Sequence, residues 1–163
     1  MSLRYLSEHA ENALLALELA RKEVAHLQYS HRTLFAQPID MEWVQLLAQR
    51  EDMAEKVEAF VSRFGRLQDH IGDKLLPRFA ALLGESPRTL LDVLSFAERM
   101  EWIQSSEGFI GARKLRNLLI HEYMSNAKLF LESLLAAQDA ADILFDVVEA
   151  VQAQACSVGL IQG

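Results

Sequence analysis

The eight residues RNLLIHEY, Arg116 to Tyr123, bring a guanidinium, a carboxamide, an imidazole and a phenol into about two turns of a helix. These are groups that do chemistry on anions. An imidazole titrating at about 6.5 moves protons in either direction near neutral pH. A guanidinium holds an oxyanion through two parallel hydrogen bonds. The question is whether the stretch is a reaction centre or the polar face of a helix.

Spacing alone does not answer it. Arg-x4-His occurs three times in the 163 residues, at Arg4–His9, Arg21–His26 and Arg116–His121, with a longer version at Arg63–His70. Only the third copy has Asn117 directly after its arginine and Tyr123 two residues after its histidine. At average residue usage, all four types together should arise by chance in fewer than about one chain in a hundred. At about 100° per residue, Asn117 and His121 share one side of a helix, with Arg113 below them and Arg116 on the edge. Leu115, Leu118 and Leu119 are expected to point into the core. Arg113, Lys114, Arg116 and Lys128 form a local basic excess on an acidic chain. Geometry leaves two readings open: a reaction centre, or a helix C-terminus whose cations complement the helix dipole.

The elements that must position these residues are helical. Leu14, Leu15, Leu17, Leu19, Val24 and Leu27 predict a first helix over 7–35, with Ser7 as its N-cap. Gln37-Pro38-Ile39-Asp40 breaks it. A second apolar series from Trp43 runs to Leu83, with a kink or break expected at Pro77. Gly84 is the stop, and Ser86-Pro87 the cap and first position of a third helix over 88–103. Gln104-Ser105-Ser106 caps a fourth, which carries the quoted stretch to about Met124. Ser125-Asn126 opens a fifth, from Ala127 to about Gln154, and 157–163 are expected to fray. The fold expected is all-α: a single domain over 1–163, an up-and-down bundle of four to five helices.

Composition narrows the function classes. Hydrophobic residues are 51% and charged residues 24%, ordinary values for a globular domain large enough to bury its own core. One cysteine, Cys156, excludes an internal disulfide and a cysteine-based metal site, and a reducing, cytoplasmic setting is expected. No secretory signature and no membrane span are read in the sequence. A net charge of −7 opposes a general nucleic-acid-binding surface, so any RNA contact needs a local basic cleft. A di-metal carboxylate centre needs two Glu-x-x-His pairs, and only Glu23 with His26 fits, so no metal is expected. Met41, Met53, Met100 and Met124 read as core filler.

RKLRNLLIHEY resembles the R-x4-H-x-Y signature of HEPN domains, and most of all the HepT-like branch, the partners of minimal nucleotidyltransferases. The likeness extends upstream through SRFGRLQDHIGDKLLPRFAALLG and TLLDVLSFAERMEWI, over roughly residues 55 to 150. The resemblance implies a helical two-fold dimer that presents the motif from both subunits in one cleft. It implies a metal-independent endoribonuclease, without cofactor, of a toxin–antitoxin pair. The neighbouring nucleotidyltransferase antitoxin silences such a toxin by transferring AMP to the motif tyrosine, here Tyr123. In that scheme Arg116, Asn117 and His121 are catalytic, and Arg113 and Lys114 help to bind the RNA. Other relatives are non-catalytic partner or substrate-binding subunits of a nucleotidyltransferase.

Overall fold

The computed structural model describes residues 4–123 and 125–163, which are helices and short connections with no strand among them. The α-helices are α1 (Ala10–Leu34), α2 (Met41–Leu46), α3 (Glu51–His70), α4 (Leu76–Leu82), α5 (Leu90–Arg99), α6 (Ser106–Glu122) and α7 (Ala127–Ser157). The all-α expectation is met. A π-helical turn, Ile71–Leu75, joins α3 to α4, so the two continue one long rod.

Local chemistry sets several boundaries where expected. Gly84 ends α4 at φ 93, a backbone region open to glycine. Ser105 caps α6 by accepting from the Gly108 N–H at 3.0 Å. Asn126 caps α7 by accepting from the Leu129 N–H at 3.1 Å.

Other boundaries differ, each for a visible reason. Ser7 does not cap α1; it begins a 3-10 turn, Ser7–His9, that leads into the helix. The second apolar series is interrupted at Arg50, whose φ of −122 and ψ of 89 separate α3 from α2. Pro77 does not kink the rod at its own position. The distortion lies just before it, where the Leu76 N–H donates to the Ile71 carbonyl five residues back. Pro77 then occupies the first turn of α4, where no N–H is required of it. The third helix starts at Leu90 rather than Arg88, because Thr89 and Asp92 form a reciprocal capping box that outcompetes Ser86-Pro87. It ends at Arg99, and Glu101, at φ 62, turns the chain. Met124, the expected end of the fourth helix, lies outside the described residues. Helix α7 runs three residues further than expected, and beyond it Leu160 and Ile161 fold back against the core.

Four long rods form the bundle. Helix α1 packs on α3 and α7, and α6 packs on the same two from the other side. Pairs across the rods show the alternating directions. Leu6 donates its N–H to the carbonyl of Leu82, at the far end of α4, and His31 near the end of α1 meets Gln138 of α7. Glycines make the same point for α3 and α6, since Gly65 faces Arg116 and Gly72 faces Phe109. This is an up-and-down four-helix arrangement. Phe60, Phe64, Phe79, Phe109 and Phe130 are fully buried at its centre. Each such side chain contributes roughly 1.5–3 kcal/mol through burial.

Polar ties fix how α3 sits on α1 and how α1 sits on α7. His70 Nε2 donates to the Ala16 carbonyl at 2.7 Å, holding α3 to α1. Arg63 donates to the His26 carbonyl and to Ser30 Oγ at 2.8 Å. His31 Nε2 in turn donates to the Gln138 carbonyl at 2.9 Å, holding α1 to α7. With His70 anchored inward, its neighbour Asp69 is presented toward α6.

Candidate functional site

Arg116 is not on the solvent face of α6. It crosses to α3, where its Nη1 donates to Asp69 Oδ1 at 3.1 Å, with about a third of each side chain still exposed (33% and 36%). The guanidinium stem lies over Gly65: a Cβ there would come within 2.8 Å of Arg116 Nε. Gly65 and Asp69 are four residues apart, one helical turn, so a single face of α3 supplies both seat and partner.

That seat lies in a groove of about 530 Å³ between α3 and α6. From α6 the groove takes Arg116, Leu119, Ile120 and Tyr123, the spacing i, i+3, i+4, i+7 of a single helix stripe. Val57, Glu58, Val61, Ser62 and Arg66 line the α3 side. Ile120 is 53% exposed, although its neighbour Leu119 is buried. Only Leu119 of the three leucines expected in the core is fully buried there; Leu115 and Leu118 are half-buried.

The motif is therefore divided. Asn117 and His121 are exposed and do not line the groove. His121 lies about 140° around the helix from Arg116, whereas Tyr123 returns to within about 20° of it. Lys114 is exposed beside Asn117 and His121, and Arg113 is half-buried. One chain thus brings Arg116 and Tyr123 to the groove, and displays Asn117, His121 and Lys114 on the adjoining flank.

Tyr123 follows the last residue of α6 and stacks edge-on against Phe130 at 5.3 Å. Burial pushes its phenol above the ordinary value of 10.0, and the carboxylates of Glu58 and Glu51 push it further in the same direction. That end of the groove is acidic.

Asp69, Gly65 and Glu58 did not emerge from the sequence as site residues. A signal was present for two of them: Gly65 and Asp69 stand at i and i+4 in a helix that the apolar pattern already showed. Nothing local said that this face would meet Arg116. The Glu23–His26 pair forms no centre. Glu23 Oε2 is buried without a hydrogen bond, His26 is exposed, and no group of three His, Cys, Asp or Glu among the described residues could hold a metal ion. Met53 is buried and Met100 packs on the core, while Met124 lies outside the described residues. Among the described residues no helix is long and apolar enough to cross a membrane.

No protein-family model matches the chain, and no similar curated protein or solved structure is found.

Proposed function

We propose that the chain is a metal-independent endoribonuclease of the HEPN kind, acting as a two-fold dimer in the cytoplasm. It is the toxin of a pair whose nucleotidyltransferase antitoxin transfers AMP to Tyr123. The observation that carries the reading is the seating of Arg116 by Asp69 over Gly65. One carboxylate engages part of a five-donor guanidinium and orients the rest for a phosphate. RNA brings its own nucleophile, so the protein has only to position it, move two protons and stabilise the phosphorane.

In the proposed step the 2′-hydroxyl loses its proton to His121, and its oxygen bonds to phosphorus. The bond to the 5′-oxygen breaks, and that oxygen takes up a proton. The products are a 2′,3′-cyclic phosphate and a 5′-hydroxyl. Arg116 balances the charge on the non-bridging oxygens. The attacking and leaving oxygens lie on opposite sides of the phosphorus, out of reach of one motif imidazole at the same moment, and His121 stands on the flank rather than in the groove. Two copies facing across a two-fold axis supply both imidazoles. Asn117, one turn from His121, orients its ring, and Arg113 and Lys114 extend the positive edge for the RNA backbone.

The experiment is cleavage of total RNA by purified protein in a chelator, beside Arg116→Ala and His121→Ala. His121 is exposed, so its removal leaves the helical circular dichroism unchanged. Fragments from the wild type alone are expected; an active His121→Ala protein sinks the reading.

One observation favours a second reading, a non-catalytic subunit that presents Tyr123 to a nucleotidyltransferase. Tyr123, unlike His121, lies on the same groove stripe as Arg116. Its phenol is protonated near neutral pH, and burial pushes it further that way, so a transferring enzyme would have to supply the base. Intact mass after incubation with that enzyme and ATP, together with the absence of RNA fragments, identifies this case.

A further inference from the structure

Because α3 and α6 run antiparallel, the groove between them has two unlike ends. At one end Arg66 and Arg116 stand on opposite walls. Asp69 is paired with Arg116, while Arg66 forms no ion pair among the described residues and donates to Ser62 Oγ at 3.3 Å. At the other end Glu58 on α3 and Tyr123, just past the end of α6, line the groove together. Burial, and after it the Glu58 carboxylate, push the Tyr123 phenol above its ordinary value. Between them lies an apolar stretch, with Val57 and Leu119 buried at its floor and Val61 and Ile120 partly open to solvent.

This sequence of surfaces selects an occupant. An apolar chain would leave both charged ends unanswered, and a simple anion would leave the apolar stretch and Glu58 unused. A nucleotide answers all three: phosphate on the arginines, a flat ring on the apolar walls, hydrogen-bond donors at the carboxylate. The scale agrees. Glu58 and Arg66 are eight residues apart, about 12 Å along the helix at roughly 1.5 Å per residue, comparable with the span from a 5′-phosphate to the far edge of its base. The volume of about 530 Å³ is that of a small-molecule site.

The base follows from Glu58. An ionised carboxylate only accepts hydrogen bonds. Guanine offers two adjacent donors on its pairing edge, N1–H and the 2-amino group, matching both carboxylate oxygens. Adenine and cytosine offer one amine beside a ring nitrogen that repels the carboxylate. Uracil offers one imino group between two carbonyls. Single-stranded RNA leaves that edge free to be read. Resting on the ribonuclease reading for its choice of ligand, we infer that the α3–α6 groove is a guanine subsite beside the reacting phosphate, with Glu58 as its specificity-determining residue.

The test is calorimetric titration of the full-length protein with the 5′-monophosphates GMP, IMP, AMP and UMP, repeated on Glu58→Gln. Glu58 is exposed, so the variant keeps its fold. GMP should bind about tenfold more tightly than AMP or UMP, with IMP, which lacks the 2-amino group, between them. In Glu58→Gln the preference should disappear: GMP should bind less tightly and AMP, relieved of the carboxylate's repulsion, as tightly as before or more so. Equal affinities in the wild type, a GMP preference that survives Glu58→Gln, or no nucleotide binding at all would overturn the inference. Cleavage is read separately. GMP selectivity without RNA fragments keeps the subsite and removes the ribonuclease. Fragments without GMP selectivity do the reverse.

Discussion

Arg116 and Asp69, 47 residues apart in the chain, meet at 3.1 Å across α6 and α3, and the arginine reaches the carboxylate by lying flat over Gly65. The pair is partly open to water, so its worth is geometric more than energetic. An ion pair this exposed contributes roughly 0–1 kcal/mol to stability.

Asp69→Asn tests that division. Chemical denaturation should show a loss of no more than about 1 kcal/mol. RNA cleavage should fall at least about tenfold, because a guanidinium that has lost its fixed partner spends less time in the productive orientation. An Asp69→Asn protein cleaving at the wild-type rate would remove Asp69 from any positioning role.

Gly65→Ala approaches the same arginine from beneath. Alanine is the better helix former by up to about 1 kcal/mol, so stability should hold or rise slightly. The added Cβ would nonetheless sit 2.8 Å from Arg116 Nε, and the flexible arginine is what must move. The expected outcome is a stable protein with impaired cleavage. Melting temperature and fragment yield, read on one preparation, decide it.

Tyr123 gives a pH signature. Its phenol is raised above 10.0 in the folded protein, first by burial and then by Glu58 and Glu51. An unfolded chain therefore ionises this tyrosine before the folded one does. The sign follows: the contribution to stability is complete below about pH 10 and is lost as pH rises from there through the folded pKa. Phenolate absorbance of wild type minus Tyr123→Phe should titrate later than free tyrosine, and Glu58→Gln should move it back. A Tyr123 midpoint at or below 10 contradicts the described surroundings.

Gln68 lies on α3, 1% exposed, and neither atom of its amide has a hydrogen-bond partner within the described residues. An unpaired buried amide costs about 1–3 kcal/mol. Gln68→Met retains the shape and removes the polar atoms, so urea unfolding should show a gain of about 1 kcal/mol or more. A clear loss would mean that the amide is satisfied in solution.

Thr89 supplies a control remote from the groove. Its hydroxyl accepts from the Asp92 N–H at 3.1 Å, and Asp92 answers by accepting from the Thr89 N–H. Thr89→Ala should cost about 1 kcal/mol of stability and leave cleavage unchanged. Lost cleavage at full stability would tie α5 to the site.

Much of the fold was legible because helix formation is decided locally. Apolar periodicity marked the long rods, and Gly84, Ser105 and Asn126 ended or capped helices where their own chemistry requires. Boundaries failed where two local signals competed, as at Thr89 against Ser86-Pro87, or where packing chose the register of a distortion, as in the turn before Pro77. The site was legible as a list and not as a shape. Arg116, Asn117, His121 and Tyr123 could be grouped by type and spacing, and helical geometry already separates His121 from Arg116 by about 140°. Yet a sequence cannot say which stripe a neighbouring helix will cover. By itself it determined an all-helical chain with one unusual cluster of polar groups. Only the tertiary structure decided that Arg116 and Tyr123 share a groove with Asp69, Gly65 and Glu58 while His121 faces outward, because long-range packing, anchored here by His70 on Ala16, sets which faces of α3 and α6 meet.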